Sequence, residues 1–186
     1  MKAKLNYYYS LIYPYLIYNV EVWGGTYDCY LKSLIIQHKR VIRTITNASS
    51  QDHTSPLFSR LRLLKFPDIY RYYVSIYMYK NHKSNVFRVH HNVNTRSRDL
   101  PLSSFNRLSS TQRSITFTGP KIWNSLPVSI RDSESLNKFK RELKSYFISQ
   151  YWLIILLNLT KFWIVVAYFR WIWHQLKFCL VTNLSE

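Results

Sequence analysis

Residues 28–46 read Asp-Cys-Tyr-Leu-Lys-Ser-Leu-Ile-Ile-Gln-His-Lys-Arg-Val-Ile-Arg-Thr-Ile-Thr. Tyr30, Leu31, Leu34, Ile35, Val41, Ile42 and Ile45 recur at steps of three and four, which is the spacing of one apolar helix face. Lys32, Lys39 and Arg43 fall within about 40° of one another on a second face, at 3.6 residues per turn. Ile36 interrupts that basic face. The stretch is predicted to be an amphipathic helix, with Thr26 or Asp28 capping its start.

The flanking segments extend the helical pattern. Leu5 to Trp23 reads as a buried helix interrupted at Pro14 and ended by Gly24-Gly25. It does not read as a signal peptide, because Asn6, Ser10, Pro14 and Asn19 break the apolar run. Ser55-Pro56 suits a helix entry, with Ser as cap and Pro at the first helical position, reaching about Leu63. Phe66-Pro67-Asp68 opens another helix to about Asn81, with Ile69, Tyr73, Ile76 and Tyr77 as its apolar members. Asp132 or Ser133 is expected to cap a last amphipathic helix ending near Ser149, with Leu136, Phe139, Leu143 and Phe147 on one side. Lys138, Lys140, Arg141 and Lys144 occupy much of the remainder. Residues 115–118 suggest a short strand, and Gly119-Pro120 a turn into Lys121-Ile122-Trp123-Asn124-Ser125-Leu126-Pro127. The fold class expected is therefore mainly α: a small helical bundle with a short strand or turn and a terminal apolar helix.

Composition divides the chain. It carries 26 Lys and Arg against 9 Asp and Glu, a formal charge of +17. Residues 1–150 hold a net +15, whereas 25 of the 36 residues in 151–186 are hydrophobic. The organisation expected is a helical region over 1–82, a basic Ser-rich linker over 83–112, the 113–150 segment and a hydrophobic tail over 151–186. Tyr151 to Phe169 approaches bilayer-spanning length, with Asn158, Thr160 and Lys161 in its middle and Trp152, Trp163, Trp171 and Trp173 suited to interfaces. A membrane is thus one anionic partner; RNA or DNA is the other.

Catalytic and metal chemistry find little support. Two-metal catalysis needs clustered carboxylates. Only Asp132 and Glu134 lie two apart, at a helix start where dipole complementarity explains them. His90-His91 lacks a nearby Cys, and Cys29 and Cys179 make neither a four-thiolate site nor a disulfide framework. Three Gly in 186 residues disfavour a phosphate-cradling loop. No catalytic residue, metal ligand or cofactor is therefore assigned.

Five segments carry a family resemblance. They are Tyr8-Tyr9-Ser10-Leu11-Ile12-Tyr13-Pro14-Tyr15-Leu16 with Glu21-Val22-Trp23-Gly24; Gln37-His38-Lys39-Arg40-Val41-Ile42-Arg43; His53-Thr54-Ser55-Pro56-Leu57-Phe58; Gly119-Pro120-Lys121-Ile122-Trp123-Asn124-Ser125-Leu126-Pro127; and Phe139-Lys140-Arg141-Glu142-Leu143-Lys144-Ser145-Tyr146. In order and rough spacing they resemble the region just downstream of the polymerase palm in reverse transcriptases of non-LTR retrotransposons, especially jockey- and CR1-like elements. The resemblance covers about residues 5–148. It implies a thumb-like helical region and an extension that contacts the template–primer duplex. The family's paired catalytic Asp belong to the palm, and Tyr27-Asp28-Cys29 does not replace them. The expectation is a truncated, non-catalytic fragment of an RNA-directed DNA polymerase, without a zinc knuckle.

The nucleic-acid-binding residues expected are Lys32, Lys39, Arg43, Arg96, Arg98, Lys138, Arg141 and Lys144, with Arg88 and Arg107 as further linker cations. Trp23, Gly24, Pro56, Gly119, Pro120, Trp123 and Pro127 are expected to be structural, Trp123 as a packing anchor. The competing expectations are a basic protein anchored in a membrane through residues 151–173, or a product without selected function.

Overall fold

In a computed structural model, residues 2–81 and 107–151 are described. The amphipathic stretch forms α4, Asp28–Thr46. It buries Leu31, His38, Ile42 and Ile45. Leu34, Ile35 and Val41 pack half-buried beside them, while Tyr30 points outward. His38 fills the gap that the aliphatic spacing leaves between Leu31 and Ile42. No side chain caps α4; Asp28 sits in its first turn, and Asn47 ends it in the left-handed conformation with φ 54°. Asn tolerates that conformation better than most side chains.

The amino-terminal segment departs from a simple helix broken at Pro14. It runs as α1 (Lys2–Tyr7), a π-helical turn (Tyr8–Ile12) and α2 (Tyr13–Ile17). The Tyr13 N–H donates to the Tyr8 carbonyl, five residues back. This wider turn directly precedes Pro14, which lies in the first turn of α2, where a missing N–H is least costly. The break comes later, at Asn19, with φ 47°, before α3 (Val20–Trp23).

α5 spans Thr54–Leu61 and α6 Phe66–Asn81. The start of α5 lies two residues earlier than Ser55 as cap would place it, which makes Pro56 its third residue rather than its first, and no side chain caps it. Helix α6 contacts α2, α3 and α8. It buries Phe66, Ile69, Val74, Ile76 and Met78, so its apolar band is wider than Ile69, Tyr73, Ile76 and Tyr77 alone; Tyr77 is on the exposed side.

The strand over 115–118 and the turn at Gly119-Pro120 are both overturned. Residues Ile115–Asn124 form one helix, α8, with Pro120 inside it. The described residues contain no strand. Packing provides the reason: a Cβ on Gly119 would stand 2.8 Å from Met78 Sδ, so this glycine permits the close approach of α8 to α6. Tyr70 Oη and Thr118 Oγ1, 2.9 Å apart, join the same two helices.

The described end of the linker docks on the body. Within it, α7 covers Ser109–Gln112. The Arg113 guanidinium lies 3.6 Å from the Tyr27 ring centroid, and Tyr27 Oη donates to Ser109 Oγ at 3.1 Å.

After α9 (Val128–Arg131), α10 occupies 136–151. Its cap is Ser135 rather than Asp132 or Ser133: Ser135 Oγ accepts from the Lys138 N–H at 3.3 Å. Ser133 is buried instead, donating to Glu142 at 2.8 Å. Phe139 and Leu143 are fully buried, each contributing roughly 1.5–3 kcal/mol by removal from water. Phe139 stacks on Tyr79 at 4.5 Å and approaches Trp123 at 5.9 Å, which makes Trp123 part of the core. Tyr151 Oη donates to Asp68 Oδ2 and accepts from the Lys65 N–H at 3.0 Å, fixing the last described turn to α6.

Candidate nucleic-acid interface

The carboxy-terminal half of α4 carries cations on its outward side because Ile42 and Ile45 commit the opposite side to the core. Lys39, Arg40 and Arg43 line an open cleft of about 840 Å³ together with Lys4 from α1. Ile36, Thr44, Asn47, Ala48 and Ser50 complete its lining, so no carboxylate enters the wall.

The cations are positioned differently. Lys4 Nζ donates to the Thr44 carbonyl at 3.1 Å and to Asn47 Oδ1 at 2.6 Å, crossing from α1 to the end of α4. Arg43 donates through Nε and Nη2 to the Asp52 carbonyl at 3.2 and 2.9 Å, fastening the loop after α4. The Asp52 carboxylate is turned to the Ser49 N–H at 2.8 Å. Arg40 is exposed and Lys39 half-exposed. Phosphate oxygens could meet charge from four side chains here, and planar guanidinium groups suit bidentate contacts.

Two like-charge encounters border this region. Burial lowers the Lys65 ammonium pKa first, and the charge of Lys39 lowers it further, against the opposing pull of Asp68. Lys65 Nζ donates to Ser55 Oγ at 2.9 Å and lies 4.2 Å from the Tyr151 ring centroid. Lys144 is likewise lowered by burial and then by Arg62. Among the described residues the one ion pair is Arg71–Asp68, at 3.7 Å, between an exposed guanidinium and a buried carboxylate. Lys65 thus stands between the cation Lys39 and the carboxylate of Asp68, and Lys144 faces the cation Arg62.

The expected residues are only partly brought together. Lys39 and Arg43 share the cleft; Lys32 is exposed two turns earlier on the same helix and does not line it. Lys144 meets Arg62, while Lys138 and Arg141 are exposed on α10. Arg88, Arg96 and Arg98, the His90-His91 pair and the tail beyond Tyr151 lie outside the described residues. Sequence reasoning missed Lys4, Arg40, Arg62 and Lys65. Arg40 adjoins Lys39 in sequence and could have been found; Lys4 is brought in by the packing of α1 on α4.

The residues expected to be structural sit in packing positions. Trp23 donates from Nε1 to the Tyr18 carbonyl at 2.6 Å and stacks on Phe66 at 5.3 Å. Gly24 lies under the Tyr70 ring, where a Cβ would meet Tyr70 Cδ2 at 2.6 Å. Pro56 is half-buried in the first turn of α5, Pro120 is buried, and Pro127 precedes α9.

Among the described residues no group of three His, Cys, Asp or Glu gathers as metal ligands, and no helix is long and apolar enough to cross a membrane. Neither family models, curated proteins nor solved structures show a match to this chain.

Proposed function

We propose that this chain binds the sugar–phosphate backbone of RNA or DNA without catalysing its synthesis, as the thumb-like segment of a non-LTR reverse transcriptase would. The observation that carries the reading is the cleft of Lys4, Lys39, Arg40 and Arg43, whose lining holds no carboxylate. Coulomb attraction to a polyanion needs no specific acceptor geometry, so backbone binding follows from charge density. The ordered resemblance of residues 5–148 to the post-palm region adds the expectation that the natural ligand is a template–primer.

The test is fluorescence anisotropy of a labelled oligonucleotide with the full chain. Replacing Lys39 and Arg40 together by Ala is expected to weaken binding at least tenfold at low salt, without sequence preference. Replacing Lys80 and Lys121, which lie off the cleft, is the charge-matched control. Equal losses in both variants would reduce the effect to net charge and remove the cleft as the site.

A further inference from the structure

A second recess adjoins the basic cleft. It has a volume of about 370 Å³, and Tyr7, Ile12 and Val41 are among its apolar walls. Lys4, Arg40 and Thr44 line both cavities, so one edge of the basic cleft is the rim of the apolar recess. Two-thirds of the Tyr7 surface is exposed, an unusual amount for a tyrosine bordering an apolar cavity. A nucleotide has the same division: an anionic phosphate joined to a flat base with an apolar face. A base inside a duplex is stacked on both faces and cannot enter a recess without being unstacked; a base in a single strand has a free face.

We propose that the recess between α1 and α4 seats an unpaired nucleobase, stacked against Tyr7, while its flanking phosphates lie in the basic cleft. This rests on the backbone-binding reading and deepens it by naming single-stranded nucleic acid as the ligand class. The shared rim defines the geometry: Lys4 and Arg40 stand where base and phosphate part, and Lys4 is held there by Thr44 and Asn47. Aromatic stacking tolerates any base, so the seat selects strandedness rather than sequence.

The test compares an oligothymidylate of about twelve nucleotides with an abasic strand of equal length and charge, using the full chain and its Tyr7→Ala variant. Tyr7 is exposed, and its side chain can be removed without opening the core. Wild type is expected to bind the base-bearing strand at least about tenfold tighter than the abasic one, within the range that base–aromatic stacking supplies. Tyr7→Ala is expected to erase that preference and leave the abasic affinity unchanged. Equal wild-type affinity for both strands, or an equal loss on both in the variant, overturns the base seat and leaves backbone binding standing. No binding to either strand at low salt overturns both.

Discussion

Burial, and then the charge of Lys39 on α4, make Lys65 in the loop before α6 harder to protonate, against the pull of the Asp68 carboxylate. An anion bridging both lysines would remove the repulsion. Lys39→Gln is therefore expected to leave the melting temperature unchanged or slightly raised while weakening oligonucleotide binding. A variant that melts lower and binds equally well would show that Lys39 serves the fold.

Arg62 repeats the relationship in another form. It ends α5 with φ 53°, a conformation that favours glycine, and its charge opposes Lys144. Arg62→Gly is expected to stabilise the protein by about 1 kcal/mol through relief of the left-handed backbone. Binding is expected to weaken at the same time, measured by anisotropy beside a denaturant titration.

His38 gives the fold a pH dependence. Its ring is buried, stacks on Tyr8 and is hydrogen-bonded to Tyr8 Oη at 3.0 Å, and burial lowers its pKa to about 4. The unfolded ring protonates near 6.5. Stability is then fully present above pH 6.5 and is lost as pH falls toward 4, by up to about 3 kcal/mol from this group. Asp68 acts in the opposite direction, because burial raises its carboxyl, partly offset by the Tyr151 hydroxyl. Melting curves between pH 7 and 4.5 are expected to show falling stability, and His38→Gln to flatten the slope. An unchanged slope in that variant would assign the loss to other groups.

Gly119 tests the α6–α8 contact. Met78 is fully buried, so Gly119→Ala brings a methyl within 2.8 Å of its sulfur and forces its side chain to shift inside the core. The expected loss is about 1–3 kcal/mol by chemical denaturation. Wild-type stability in that variant would mean that the helices are not in close contact at this point.

The residues that set the long helices are local. Leu31, Ile42 and Ile45 at helical spacing reveal α4, and Phe139, Leu143 and Phe147 reveal α10, because each helix buries a periodic face. The misreadings occur where tertiary contact outweighs local propensity. Ile115, Thr116, Phe117 and Thr118 favour a strand, and Gly119-Pro120 favours a turn, yet the close fit of Gly119 on Met78 draws the whole segment into α8. The cleft was half legible for the same reason. Lys39 and Arg43 belong to one periodic face, whereas Lys4 joins them only through folding, and its distance of 35 residues from Lys39 in sequence conceals the pairing.

The proposed polyanion site is the cleft of Lys4, Lys39, Arg40 and Arg43. Measuring the affinity of the full chain for a single strand between 50 and 200 mM salt tests it most directly. Contact with about four phosphates gives a log–log slope near −3 and a loss of about fiftyfold across that range. A slope near zero, or no binding at the lowest salt, would show that the cleft does not hold nucleic acid.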